Sequence, residues 1–349
     1  MSSSSKPVTT MAHIARLAGV HVSTVSRALG DSPLVEKSMR DRILKIAHQQ
    51  GYVANSTARN LRAGRTQTLS VVIPLAHERG QDLTDPFFAY MLSHLADEIT
   101  QRGYGMHLQK VLPPMQGWMQ RMVAERRSDG IIVIGQSTEH DTLEQAARTE
   151  MPFVVWGGHF GQQNYCVVGT DNVQAARLAT EHLLKIGRRR IVFVGDPSIP
   201  EIKLRCDGYQ QALAQGPAGT AAASIVKAHM TPEAAYESML AHIRKGKRFD
   251  AIFAATDIIA ISAMRAVSAS GLKIPDDIAV VGFDGIDMGA HVHPTLTTVA
   301  QDLNRGARLL VDLLLKRIAG EAVGSVAMAG ELVVRESCGA VPLHPNRKN

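Results

Sequence analysis

The chain has 349 residues, of which 45% are hydrophobic and 20% are charged, as is typical of folded globular proteins. No apolar run reaches the roughly 18 residues that span a bilayer, and residues 1–10 lack the apolar core of a secretory signal. We therefore expect a cytoplasmic protein with no membrane partner. Three widely spaced cysteines, Cys166, Cys206 and Cys338, predict neither a disulfide framework nor a metal site.

Charge is distributed unevenly along the chain. Residues 1–66 contain ten Lys/Arg and three Asp/Glu, a net charge of +7, whereas the whole chain carries +6. The other 283 residues therefore have a net charge of −1. A basic segment attached to a near-neutral body indicates a polyanionic partner for that segment alone.

Residues 10–51 have the pattern of three short helices. Thr10 is the predicted N-cap of the first helix, and Gly19 ends it. After a short turn, a second helix is predicted over about 22–29 and a third over about 36–50. A helix, a glycine-containing turn and a second helix form a helix-turn-helix arrangement. The residues predicted to face inward are Val25, Ala28 and Leu29 in the second helix and Met39, Ile43, Leu44 and Ala47 in the third.

The second helix has an outer face that folding does not explain. In a helix-turn-helix unit this helix lies in the DNA major groove, with its N-terminal residues nearest the bases. Val22 can contact a thymine methyl, Ser23 can donate or accept, and Arg27 can bind guanine through two hydrogen bonds. The alternative interpretation is a small helical domain with a solvated polar face.

Residues 52–68 predict a segment that folds only against a partner. Asn55 can cap a helix over about 56–63, which is shorter than the roughly 12–15 residues that a stable isolated helix needs. Leu61 is its one large apolar residue. The alternative for Leu61 is packing against the body of the protein.

From residue 69 the pattern alternates between apolar strands and amphipathic helices. The series occurs twice, at about 69–160 and 166–285. Such alternation predicts parallel sheets covered by helices on both faces, here in two similar lobes with a cleft between them. The predicted fold class is therefore α/β, with a three-helix helix-turn-helix head and a two-lobed body of parallel sheets.

Polar and aromatic side chains follow the predicted strands, where ligands of parallel sheets bind. Carboxylates, amides and an arginine suit sugar hydroxyls, and aromatic faces suit the C–H patches of a sugar ring. Arg205 and Asp284 are the main candidates, whereas Asp257 is alternatively a helix N-cap. The candidate ligand-binding residues are Asp85, Phe87, Phe88, Gln136, Trp156, His159, Arg205, Thr256, Asp257, Asp284 and Gln301.

Sequence patterns of enzymes are missing. The chain contains no phosphate-binding glycine motif, no GxSxG and no HExxH. We therefore predict no catalytic residue, cofactor or metal. A secreted sugar-binding protein and an enzyme with an α/β body are the alternatives, and neither explains the basic head. The basic stretch GRRRI, residues 187–191, is interpreted as a solvated or helix-terminal cluster rather than a second DNA contact.

The stretch TMAHIARLAGVHVSTVSRALGD, residues 10–31, closely resembles the LacI/GalR family of bacterial repressors, and the resemblance extends over nearly the whole chain. It implies that Val22 and Ser23 are the specificity pair and that Arg27 is the third base contact. His21 stands where the family usually has a capping Ser or Thr. The further DNA contacts assigned with this resemblance are Thr10, Thr24, Ser26, Asn55 and Arg59, with Leu61 as the minor-groove wedge of a hinge helix.

In the body, LRCDGY and GFDG resemble the family's effector domain, which has the fold of periplasmic sugar-binding proteins. The resemblance implies that Arg205 and Asp284 bind the effector, and Met230 stands where several members have a stacking aromatic residue. It also implies a homodimer on a pseudo-palindromic double-stranded DNA operator. The tail lacks the leucine heptad that makes some members tetrameric.

These observations predict a helix-turn-helix domain at 7–53, a hinge at 54–68, an effector and dimerisation domain at 69–340 and a tail at 341–349. Lobe one is predicted at 69–165 and 297–324, and lobe two at 166–294 and 325–340. The expected function is that of a repressor controlled by a small molecule, a sugar or sugar derivative. The alternative is a regulator that responds to a non-sugar ligand such as a purine.

Overall fold

The computed structural model describes residues 10–30, 32–52, 65–75, 83–112, 117–137, 139–246 and 248–340. The chain divides into two compact units, Met1–Thr66 and Gln67–Asn349. The predicted hinge helix, with Asn55, Arg59 and Leu61, and the tail at 341–349 lie outside the described residues. None of the described helices has both the length and the apolarity that crossing a membrane requires.

The first unit contains three helices, α1 (Met11–Ala18), α2 (Val22–Leu29) and α3 (Lys37–Gln49). They occur where the sequence predicted them. The Thr10 side chain caps α1 by accepting from the His13 amide, and Gly19 ends α1 with a left-handed φ of 66°. The buried core of this unit consists of Ile14, Ala15, Ala18, Val25, Ala28, Val35, Ile43 and Ala47.

One predicted core residue of the head is wrong. Leu44 of α3 is 43% exposed, whereas Ile43 and Ala47 are buried. Successive helix residues are rotated by about 100°, so the stripe through Ile43 and Ala47 turns Leu44 away from the core. Leu29 and Met39 are partly buried at the edge of the same core.

The second unit contains two sheets with helices on both faces. Its strands are β1 (Thr68–Pro74), β2 (Gly105–Val111), β3 (Gly130–Ile134), β4 (Phe153–Trp156), β5 (Val167–Thr170), β6 (Ile191–Val194), β7 (Ser224–Val226), β8 (Ala251–Ala254), β9 (Ala279–Asp284), β10 (Thr297–Ala300), β11 (Val326–Met328) and β12 (Glu331–Val333). Its helices are α4 (Pro86–Gln101), α5 (Trp118–Glu125), α6 (His140–Ala146), α7 (Asn172–Lys185), α8 (Pro200–Ala214), α9 (Pro232–Arg244), α10 (Asp257–Ala269) and α11 (Leu303–Ile318), with short 3-10 helices at Asp287–Ala290 and Glu336–Cys338.

The two sheets define two lobes of similar topology. The strand order is β11-β5-β4-β3-β1-β2 in the first sheet and β12-β10-β9-β8-β6-β7 in the second. All pairings are parallel except that of β10 with β12. Every residue of β3, β4 and β8 is buried, as expected for central strands of a sheet covered on both faces. The predicted two-lobed body of parallel sheets is confirmed.

The predicted lobe boundaries misplace three strands. Strand β5 pairs with β4 in the first sheet although we assigned it to lobe two. Strand β10 pairs with β9 in the second sheet although we assigned it to lobe one, and β11 pairs with β5 in the first sheet rather than belonging to lobe two. The chain therefore crosses between the lobes three times. An apolar pattern identifies a strand but not the sheet edge that it joins.

The basic cluster at 187–191 is held by structural contacts. The Arg189 guanidinium donates to the Leu184 carbonyl near the end of α7 at 2.7 Å, and Arg190 forms an ion pair with Asp250 at 3.3 Å. Arg188 donates to the Pro275 carbonyl at 2.6 Å. These contacts support the interpretation as a helix-terminal cluster.

We expect Gly169→Ala to destabilise the body, because a Cβ at this position in β5 would overlap the backbone carbonyl of Gly157. Overpacking of this kind costs about 1–3 kcal/mol or more. The free energy of unfolding in urea is the measurement. Gly324→Ala is the matched control, since a Cβ there meets open space. Equal stability of the two variants would contradict the assignment of β5 to the first sheet.

Candidate functional site

The outer face of α2 is exposed and begins at a histidine cap. The His21 Nδ1 accepts from the Ser23 amide at 3.3 Å and lies 2.9 Å from the Ser23 hydroxyl. The departure from the family's capping Ser or Thr thus leaves a capped helix. Val22 is 38% exposed and Arg27 is exposed, while Val25 and Ala28 hold the opposite face in the core.

The remaining predicted DNA contacts in the described part of the head are less exposed or serve the fold as well. Thr24 and Ser26 are half-buried on α2. Thr10 is exposed but also caps α1. No acidic side chain belongs to α2, so its face combines an apolar residue, hydroxyls and one guanidinium. This composition suits base edges and phosphates.

A cleft between the two lobes lies beyond the carboxyl ends of β1, β3 and β4 on one side and of β8 and β9 on the other. Its volume is about 640 Å³ when the space open to solvent at its mouth is included. Eight of the twelve predicted ligand-binding residues line it, from both lobes. They are Asp85, Phe87, Phe88, Trp156, Arg205, Met230, Thr256 and Asp284.

Two predicted residues support the cleft without lining it. Gln136 is fully buried; its amide donates to the Gly158 carbonyl at 3.0 Å and to the Tyr165 hydroxyl at 3.1 Å. Gln301 donates to Asp284 Oδ1 at 2.8 Å and thereby fixes that carboxylate. His159 lines a different cavity.

Asp257 is structural in this fold. One carboxylate oxygen accepts from the amides of Gly285 and Ile286, each at 2.8 Å, and the other accepts from the Thr298 hydroxyl at 2.6 Å. The alternative of a helix cap at Asp257 is also wrong, because Thr256 caps α10 by accepting from the Ile259 amide. Burial raises the pKa of Asp257 although the three hydrogen bonds oppose the shift.

Arg205 and Asp284 form the polar end of the cleft. Arg205 is 7% exposed; its Nε donates to Asn172 at 2.8 Å and its Nη1 donates to the Ala255 carbonyl at 2.6 Å. Nη1 also lies 3.4 Å from Asp284 Oδ1, and the guanidinium stacks on the Phe283 ring at 3.8 Å. The described residues give Nη2 no acceptor, so this edge is available to a ligand.

The Asp284 carboxylate is held in an unusual environment. Its backbone has a φ of 122°, a region that L residues rarely adopt, so the fold maintains local strain where the side chain meets the cleft. Burial raises the pKa of Asp284, and the Arg205 guanidinium opposes this shift. The carboxyl group can therefore serve a ligand as a donor or as an acceptor.

Sequence analysis missed half of the cleft lining. The missed residues are Pro74, Leu75, Ile134, Gly135, Ser137, Ile199, Glu201 and Ile202. Most are apolar, whereas the sequence indicates ligand-binding residues chiefly where polar side chains follow a strand. Glu201 could have been found, because it precedes Arg205 by four residues on α8 and so shares its face.

Two polar links join the lobes across the cleft. The backbone amide of Gln136 in the first lobe donates to Glu201 Oε1 of the second lobe at 2.9 Å. Tyr90 of α4 meets Asp287 from the second lobe; burial and then the charge and hydrogen bond of Asp287 raise the pKa of the Tyr90 hydroxyl. The lobes are therefore held together by side chains at and near the ligand cleft.

Comparison with known proteins agrees with this architecture. Residues 10–55 match the description "Bacterial regulatory proteins, lacI family", and residues 180–338 match "Periplasmic binding protein-like domain". The lac repressor dimer bound to operator and the anti-inducer ONPF has the same fold, with a TM-score of 0.82 at 23% identity over 96% of this chain and all of that one. A complex of the transcriptional regulator CelR with cellobiose has a TM-score of 0.67 at 28% identity, covering 94% of this chain and 99% of that one.

Full-length relatives are regulators of transcription. The HTH-type transcriptional repressor CytR of Escherichia coli K12 is 29% identical, over 95% of this chain and 97% of CytR. The HTH-type transcriptional regulator MalR of Clostridium butyricum is 30% identical, over 93% of this chain and 98% of MalR. With these matches over head and body, the chain belongs to the LacI family of bacterial regulatory proteins and is a transcriptional regulator rather than an enzyme.

Proposed function

We propose that this regulator is a repressor that binds a pseudo-palindromic operator as a homodimer and is controlled by an uncharged sugar or sugar derivative in the cleft. The observation that carries the proposal is the cleft itself, with a polar end at Arg205 and Asp284 and an aromatic wall at Phe87 and Trp156. A sugar presents hydroxyls to the former and C–H faces to the latter.

The charges of the cleft favour an uncharged effector. Among the residues that the structure describes, three carboxylates, Asp85, Glu201 and Asp284, line it together with one guanidinium, Arg205. Even with Asp284 protonated, the acidic side chains outnumber the basic one. A phosphorylated or acidic sugar is negatively charged, so it would be repelled by the excess of carboxylates in the cleft and would also lose its hydration there.

A flat heterocycle is the second candidate effector. The Phe87 and Trp156 rings, with centroids 6.5 Å apart, offer apolar surface to a planar ligand as well as to a sugar. A hydrophobic side chain, Met230, extends this wall from the second lobe. The cellobiose bound by the relative CelR favours the sugar.

The effector proposal predicts that a neutral saccharide raises the melting temperature of the protein, as binding to the folded state must, whereas its phosphate ester has no effect. The panel should contain neutral mono- and disaccharides, their 6-phosphates and free nucleobases, tested by thermal shift and then by calorimetry. Stabilisation by nucleobases alone would support the heterocycle instead. A response only to phosphorylated sugars would contradict the proposal.

Glu201→Gln tests the charge argument within the same panel. The introduced side-chain amide oxygen can still accept from the Gln136 backbone amide, but one negative charge is removed from the cleft. We expect affinity for the 6-phosphate of the active sugar to rise by about tenfold, or 1.4 kcal/mol, with little change for the neutral sugar. The control is Glu237→Gln, an exposed position on α9 outside the cleft. Identical effects of the two substitutions would contradict the argument.

DNA recognition is proposed for the exposed face of α2, from Val22, Ser23 and Arg27. Arg27→Ala should cost about 1–3 kcal/mol on the preferred operator and relax specificity at one base pair in each half-site. Operators selected from a random library and then titrated provide the measurement. Lys45→Ala, an exposed basic position on α3, is the control. A loss that is uniform over all sequences would count against a base contact by Arg27.

The homodimer is proposed through the first lobe. Strand β2 lies at the edge of the first sheet, and its Met106 and Leu108 are 37% and 39% exposed. An apolar edge strand suits a second copy of the chain.

Leu108→Lys should therefore dissociate the dimer at micromolar concentration, as followed by sedimentation. The matched control is Ile225→Lys, because Ile225 is 41% exposed on β7, the edge strand of the other sheet. If Ile225→Lys dissociated the dimer and Leu108→Lys left it intact, the dimer interface would lie on the second lobe instead of the first.

A further inference from the structure

A second cavity lies at the first crossover between the lobes, where β5 leads into α7. It is lined by His159 after β4, Thr170 at the end of β5, Asp171 and Asn172 at the start of α7, and Leu204 from α8. Its volume is about 490 Å³ with the space at its mouth. Within the described parts of the chain, its lining shares no residue with the effector cleft.

Two polar atoms of this cavity have no protein partner. His159 Nε2 and the Thr170 hydroxyl are buried, and no described residue forms a hydrogen bond with either. Thr170 is only 2% exposed. A buried polar group without a partner destabilises the folded state. Two such groups in one cavity indicate an occupant that forms hydrogen bonds.

The charges of the lining restrict the chemistry of this occupant. Asp171 is the one formally charged residue among the described residues that line the cavity, and its Oδ1 caps α7 by accepting from the Gln174 backbone amide at 3.0 Å. A carboxylate beside the cavity disfavours an anion. No group of three or more His, Cys, Asp or Glu that could hold a metal ion exists among the described residues.

An uncharged molecule with several hydroxyls fits these constraints. Each hydroxyl can both donate and accept, which suits Thr170, either tautomer of His159 and the acceptor Asp171. Leu204 and Ala327 provide apolar surface for the C–H groups.

Hydrogen bonds connect this cavity to the effector cleft. The Asn172 amide donates to the Thr170 carbonyl at 3.0 Å, and Asn172 Oδ1 accepts from Arg205 Nε at 2.8 Å. Thr170 is therefore two hydrogen bonds from the guanidinium that forms the polar end of the cleft. A molecule bound at Thr170 can shift Arg205 through a single side chain.

We propose that the crossover cavity is a second binding site, for a small uncharged polyol, and that Asn172 transmits its occupancy to Arg205. The site lies outside the effector cleft and is formed by residues that the chain uses to pass from one lobe to the other. Neither the operator nor the effector takes part in this binding.

Erythritol is the probe for the test, applied to the full chain without effector or DNA. Saturation-transfer NMR should show saturable binding in the wild-type protein. Thr170→Val should weaken it at least tenfold, and His159→Leu should do the same. Thr180→Val is the matched control, because Thr180 is another buried threonine on α7 whose hydroxyl already donates to the Ala176 carbonyl. This variant should bind erythritol as the wild type does.

Two further measurements test the location of the site and its link to Arg205. Asp85→Ala removes a residue of the effector cleft and the N-cap of α4 but no residue that lines the crossover cavity, so it should leave erythritol binding unchanged. The Arg205 Nε–H resonance should move as erythritol saturates. The proposed site would be contradicted if no saturable binding were found, or if the cavity held water only. It would also be contradicted if Thr170→Val bound erythritol as well as the wild type does, or if Asp85→Ala lost binding. If the Arg205 resonance did not move at saturating erythritol, the proposed link between the crossover cavity and the effector cleft would be contradicted. Failure of the effector proposal would alter none of these results.

Discussion

The ligand cleft depends on how one buried guanidinium is held. Arg205 binds the side chain at the first crossover, Asn172, and the backbone at the end of β8, and it lies against Asp284. Removing one partner of a buried charge pair typically costs about 3–5 kcal/mol, because the other charge is left without compensation. The polar end of the cleft and the passage between lobes therefore share one set of contacts, and a ligand that binds Arg205 acts on both.

This arrangement gives a physical basis for control by a small molecule. The lobes are joined by three passages of the chain and by hydrogen bonds such as that from the Gln136 backbone amide to the Glu201 carboxylate. A ligand that touches both lobes stabilises the arrangement in which its contacts are complete, and it shifts the population only by its difference in affinity for the two arrangements. Glu201 both lines the cleft and accepts a hydrogen bond from the opposite lobe, so a ligand in the cleft would meet a side chain that joins the lobes.

The helices and strands could be predicted from the sequence, because the residues that determine them are close together along the chain. Thr10, Gly19 and the apolar spacing set the helices of the head, and alternating apolar runs identified the strands of the body. Sheet membership could not be predicted, because β5, β10 and β11 join sheets through contacts distant in sequence. The same limit affected the site. Eight of the predicted residues do line the cleft. Asp257 and Gln136 do not, because they bind backbone amides and a loop that only the fold brings near them.

The proposed function requires the cleft between the lobes and the exposed face of α2 to be coupled. Linkage requires such coupling to be reciprocal: the factor by which the effector changes operator affinity must equal the factor by which the operator changes effector affinity. Titrating operator with and without the active sugar, and sugar with and without operator, at one salt concentration measures both factors. We predict equal factors of about 5–150, corresponding to 1–3 kcal/mol. If operator and sugar both bound tightly but neither changed the affinity for the other, the proposed coupling would be contradicted.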